Sequence, residues 1–145
     1  MKIMEKYQVR KILHNLDLER KRILKPLFLE LGLTVGEGQP RILNTLIEQG
    51  TMTQRELAEN CMLDVTTMSR TLDKLEHGGL LERKVNPKCR RSYLISLTEA
   101  GEKKAVQVRS IFAQLDEKMW NGIDKEEMEQ MYLTLEKIHR NLQKD

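Results

Sequence analysis

Thr66, Thr67, Arg70 and Lys74, with His77 beyond them, recur at spacings that matter if the segment is helical. At about 100° per residue a helix sets them opposite Val65, Met68, Leu72 and Leu75, whose steps of three, four and three make one apolar stripe. The polar face is expected to hold hydroxyls and cations and no carboxylate. Such a face can donate to base-edge acceptors and to phosphate oxygens, which is what a DNA major groove presents. An ordinary solvated helix face has a similar composition, so this segment alone leaves the two readings level.

A second cluster separates them. From Arg83 to Arg91 there are five basic residues and no acidic one. Leu80 to Val85 and Ser92 to Leu97 are strand-like, and Tyr93, Ile95 and Leu97 alternate as a half-buried strand does. They predict a hairpin with the loop Asn86-Pro87-Lys88-Cys89-Arg90-Arg91. A ribbon that projects cations of one sign is poorly suited to solubility, which mixed signs serve better. It suits phosphate contact, with Lys88, Arg90 and Arg91 gripping the backbone and the narrow minor groove.

These residues need elements to hold them. Thr53-Gln54-Arg55-Glu56 has the spacing of a capping box and predicts a helix start. Leu57 and Ala58 give that helix an inward face, and Cys61, Met62 and Leu63 form an apolar turn. Asp64 caps the next helix, and Gly78-Gly79 ends it. Helix, turn, helix and basic hairpin together read as a winged helix-turn-helix.

Upstream, Met4 to Leu31 reads as one long helix. Pro26 is expected to kink or split it near Arg22. Gly32 to Gly38 is a loop. Pro40 opens a further helix with Ile42, Leu43, Leu46 and Ile47 inward and Gly50 as its stop. Met52 continues the core into an extended link. Downstream, Thr98 caps a helix running to about Trp120, with Ala105, Val108, Phe112, Leu115 and Met119 on a seam. After a turn at Asn121-Gly122, Asp124 and Glu127 open a last helix whose seam is Met128, Met131, Leu135, Ile138 and Leu142. Seams of this length carry more apolar surface than a single copy covers, which predicts a homodimer.

The run LDVTTMSRTLDKLEHGGLLER followed by NPKCRRSYLISLTEAG resembles the signature of the MarR family of bacterial transcription regulators. The GLT ahead of the second helix and the QRELAENC helix are similar too. The likeness is strong from Gln39 to Gly101 and is one of helical pattern elsewhere. It implies a mainly α fold with a small β-hairpin wing: a winged helix-turn-helix domain at 39–98, an N-terminal dimerisation helix plus linker at 1–38, and C-terminal dimerisation helices at 99–145. It implies a homodimer on a pseudo-palindromic operator in double-stranded DNA, usually a repressor released by a small ligand or an oxidant. By position, Thr66, Thr67 and Arg70 match the family's groove contacts and Arg91 its wing-tip arginine. The first helix lines the effector pocket in that family, which points to His14 and Arg20, although both also fit as surface residues at the edge of a dimer contact. The family's wing usually reads Asp-x-Arg, and here Asn86 and Cys89 stand where acidic residues are common.

Composition agrees. The chain has 145 residues, 39% hydrophobic and 32% charged, with few glycines and prolines, as helix-rich proteins do. Net charge is only +3, but residues 98–145 sum to −2 while residues 1–50 sum to +3 and 51–97 to +2. The acidic part is the one that need not approach DNA. No apolar run reaches about 18 residues and the N-terminus lacks a signal-peptide core, which predicts no membrane span and a cytoplasmic location. His14, His77 and His139 are scattered, and no Ser/His/Asp grouping or phosphate-cradling glycine loop can be assembled. Neither an enzyme nor a cofactor is expected. Cys61 reads as a small buried hydrophobe. Cys89, among cations, raises the alternative of a thiol-based redox sensor, although the peroxide sensors of the family carry their reactive cysteine near the N-terminus, where this chain has none. A protein-interaction winged helix is the other alternative. Of the eight methionines, Met119, Met128 and Met131 fall on seam positions and read as core filler, while a small aromatic or apolar effector would also suit such side chains.

Overall fold

The computed structural model describes residues 3–144, so the first two residues of the expected N-terminal segment and the last of the C-terminal one lie outside it. Six helices and three strands follow in the order α1 (Lys6–Glu30), α2 (Gln39–Gln49), β1 (Met52–Thr53), α3 (Gln54–Cys61), α4 (Val65–His77), β2 (Leu81–Asn86), β3 (Cys89–Leu97), α5 (Glu99–Met119) and α6 (Lys125–Gln143). The chain forms two compact units that divide inside α5, one ending at Phe112 and the other starting at Ala113.

In the first unit, helix starts fall where side chains can satisfy the free amides of a first turn. Thr53 Oγ1 accepts from the Glu56 amide at 3.1 Å and the Glu56 carboxylate accepts from the Thr53 amide at 3.3 Å. Asp64 Oδ1 accepts from the Thr67 amide at 2.8 Å. Thr98 Oγ1 accepts from the Gly101 amide at 3.0 Å and donates to the Gly79 carbonyl at 2.6 Å, which fastens the start of α5 to the end of α4. Gly79 takes φ +77°, the left-handed turn that stops α4.

Met52 and Thr53 form a third strand, opposite Ile95 and Leu94, so the hairpin is part of a sheet ordered β1-β3-β2. Two residues are too few to show an alternating pattern, and the sequence predicted only an extended link. Ile42, Leu43, Leu57, Met68, Leu72 and Ile95 are buried at the centre of this unit. Gly101 meets the Leu80 backbone so closely that an added Cβ would lie 1.7 Å from the Leu80 carbonyl oxygen. Phe28 of α1 meets Phe112 of α5 edge to face at 5.3 Å.

Several expectations change. Pro26 lies inside α1 and does not split it, since Lys6–Glu30 is one helix of 25 residues. A proline removes one amide from the ladder, and the surrounding turns hold without it. The helix also starts at Lys6 rather than Met4, where Gln8 Oε1 accepts from the Glu5 amide at 2.9 Å. Leu24 and Phe28 are buried, whereas Val9, Ile12, Leu13 and Leu16 are exposed. In the second unit, α6 has no buried residue, and its apolar stripe from Met128 to Leu142 is exposed. Among the described residues no helix is long and apolar enough to cross a membrane.

Candidate nucleic-acid interface

Helix α4 is anchored by Met68, Thr71, Leu72 and Leu75, all buried. Thr71 was not expected there. Its hydroxyl donates to the Glu37 carbonyl at 2.9 Å, which seats the loop before α2 against this helix. Val65, assigned to the inward stripe, is 78% exposed instead. It is the first residue of the helix, and the packed stripe begins a turn later, at Met68.

The outward face carries Thr66 and Arg70, both exposed, and His77. It is not free of carboxylates as expected, because Asp73 lies on it and is exposed as well. Thr67 is half-buried, and its hydroxyl donates to Asp64 Oδ2 at 2.9 Å, so that proton is already engaged. The same amide and hydroxyl bonds from Thr67 hold the Asp64 carboxyl below its usual range. Lys74 reaches the Glu37 carboxylate at 2.6 Å. That bond lowers the pKa of Glu37, with further help from the charges of Lys74 and Arg70.

The five cations of the hairpin divide into two groups. Arg83 is only 19% exposed at its side chain and pairs with Asp73 and with Glu76 at 3.0 Å. Its amide also donates to Glu76 Oε2 at 3.1 Å. These bonds hold the Glu76 carboxyl below its usual range. Arg83 therefore ties β2 to α4 and does not project. The alternation of Leu81, Arg83 and Val85 could have signalled this, since it puts Arg83 on the face of the buried Leu81. Lys84 lies 3.5 Å from Glu82.

Lys88, Arg90 and Arg91 are exposed and have no carboxylate partner among the described residues. The expected six-residue loop contracts to Pro87-Lys88, because Asn86 already lies opposite Cys89. Strand pairing is regular from Leu81↔Leu97 to Val85↔Tyr93 and then slips, which leaves Arg90, Arg91 and Ser92 outside the ladder. An irregularity of this kind re-aims side chains at the end of a ribbon. Asn86 braces it: its Oδ1 accepts from the Lys88 amide and its Nδ2 donates to Ser92 Oγ, both at 3.0 Å. An uncharged carboxamide, and not a carboxylate, thus braces the end of the ribbon.

The remaining candidates lie apart. His14 is exposed and Arg20 half-buried on α1, roughly 120° apart around the helix. Cys61 is buried, and desolvation pushes its thiol pKa up. Cys89 is exposed at the wing tip. Sequence reasoning missed Glu37, Asp73 and Glu76. Glu37 and Lys74 are far apart in the chain, and no spacing in a single sequence brings them together.

The family model described as MarR family matches residues 37–93. The chain is 31% identical over 135 residues to the organic hydroperoxide resistance transcriptional regulator of Bacillus subtilis, covering 89% of this chain and 88% of that one. Over 85 residues it is 33% identical to the HTH-type transcriptional regulator BilQ of Clostridium symbiosum, a match spanning 59% of the length of each. The structure of Staphylococcus aureus MepR in complex with DNA is similar with a TM-score of 0.79 at 27% identity, covering 97% of this chain and 99% of that one.

Proposed function

The chain belongs to the MarR family of transcriptional regulators, and from that membership we propose that it binds a pseudo-palindromic duplex operator as a homodimer and represses until an effector releases it. In this reading Thr66, Thr67, Arg70 and Lys74 contact the major groove and its phosphate walls. Lys88, Arg90 and Arg91 take the neighbouring minor groove and backbone. The observation that carries the reading is a wing tip with three exposed cations, without carboxylate partners among the described residues, in the same unit as exposed Thr66 and Arg70. MepR is related over almost all of this chain and has been seen in complex with DNA.

The homodimer is supported by apolar stripes left exposed on α1 (Ile12, Leu13, Leu16) and on α6 (Met131, Leu135, Ile138). A second copy would cover them. Two winged units related by a two-fold axis read half-sites about one helical turn apart, roughly 10 base pairs. A small aromatic or apolar effector, with His14 and Arg20 as its contacts on α1, and a cytoplasmic location belong to the same reading.

Fluorescence anisotropy of a random-sequence duplex against salt tests it. Binding should weaken steeply as salt rises, because phosphate contact releases counterions. Salt-independent binding, or none in dilute buffer, would favour a module that docks another protein. Footprinting of the DNA flanking its own coding region then locates the operator.

The exposure of Cys89 favours a second mode of release. A hydroperoxide would oxidise its thiolate to a sulfenic acid and be reduced to the alcohol. In that case hydroperoxide frees DNA from the wild type and leaves Cys89→Ser bound.

A further inference from the structure

The entry to α4 offers a reader of a different chemistry from the hydroxyls and guanidinium groups beside it. Val65 is the first residue of the helix and is 78% exposed. The fold has no packing use for it, since the buried stripe of α4 begins at Met68. Of its neighbours, Asp64 and Thr67 are engaged with each other, and Thr66 is exposed beside it. Asp64 accepts from both the amide and the hydroxyl of Thr67, at 2.8 and 2.9 Å. Val65 itself offers a branched apolar side chain, held in one dominant rotamer because β-branching restricts χ1 in a helix.

A helix lying in the major groove brings its N-terminal residues to base edges. Of the four bases only thymine shows an apolar group there, its 5-methyl. We propose that Val65 is a specificity-determining residue that packs against the 5-methyl group of one thymine in each operator half-site. This rests on the duplex-DNA reading above and adds a base preference to it. A valine has little rotamer freedom to lose, so contact costs little ordering and removes apolar surface from water on both partners.

The test begins with duplexes selected from a random-sequence library by the full-length protein. Each thymine of the recovered half-site is then replaced by deoxyuridine, which deletes the methyl and leaves the base-pairing edge intact. In the wild type, one position per half-site should lower affinity about fourfold, the transfer value of one methyl, and about fifteenfold when both half-sites are changed. Val65→Ala should lose this dependence and bind the thymine duplex about as weakly as the wild type binds the deoxyuridine one. Val65→Ile should keep it. Both variants should melt with the wild type, because the site is exposed. A consensus without thymine overturns the inference, as does a wild type indifferent to deoxyuridine at every position, or a penalty that persists in Val65→Ala. If salt-sensitive binding to random duplex survives those results, the DNA reading stands without this contact. If the protein ignores random duplex in dilute buffer, both fall together.

Discussion

At the root of the β2–β3 hairpin, Arg83 is drawn against α4 and shared between Asp73 and Glu76. A few residues on, Lys88, Arg90 and Arg91 stand in solvent without carboxylate partners among the described residues. The two regions have the same residue types and the same sign of charge. What separates them is the strand's facing: Arg83 shares a face with buried Leu81, while Lys88 lies in the turn and Arg90 and Arg91 fall where the ladder slips. A basic run is therefore two devices. One cation fastens the wing to the helix, and three others remain available to phosphate.

That contrast can be broken most forcefully at the root. Gly101→Ala should destabilise the protein by about 3 kcal/mol, because its methyl would collide with the Leu80 backbone rather than with a flexible side chain. Thermal melting checks it; an unchanged melting temperature would mean the root is not tightly packed. Arg83→Ala should cost about 1–2 kcal/mol, since it leaves Asp73 and Glu76 facing each other without a cation, discounted for the exposure of Asp73.

The same variant should change the acid limb of stability. Glu76 has its pKa lowered from 4.5 in the folded state by the bonds from Arg83. Its contribution is complete above 4.5 and is lost as pH falls through the lowered value. Arg83→Ala should flatten that loss in a melting series against pH, whereas Arg91→Ala should leave it in place.

At the tip the order of effects reverses. Arg91→Ala should melt within about 0.5 kcal/mol of wild type. It should nevertheless weaken duplex binding by about 1 kcal/mol or more and reduce the salt slope by about one per subunit. A large fall in melting temperature without a change in salt slope would make Arg91 a second Arg83. Smallest is Glu37→Gln, which frees Lys74 from its carboxylate and should strengthen binding about two- to threefold at low salt. Unchanged affinity would show that Lys74 does not meet DNA.

The caps at Thr53, Asp64 and Thr98 and the stop at Gly78-Gly79 were legible in the sequence because each depends on residues within a turn of one another. The wing was legible from alternation and charge. Val65 was not, because a stripe drawn from spacing assumes a partner under every position, and no described residue covers Val65. Asp73 was overlooked, and the pairing of Lys74 unforeseen, for the converse reason. A helical wheel gives direction alone, while their roles depend on Arg83 and Glu37, which other segments bring alongside. Strand β1 is too short to announce itself. The candidate DNA contacts were legible as a composition, and which of their cations are spent internally was not.

Asn86 holds the hairpin's end through an uncharged carboxamide. A brace without ionic character keeps its form when electrolyte is added or carboxylates are neutralised. The arginines beside it stay displayed in the same pose while their pull on polyanions fades. Added sodium chloride should therefore weaken the pull of these arginines without removing the bonds that Asn86 makes.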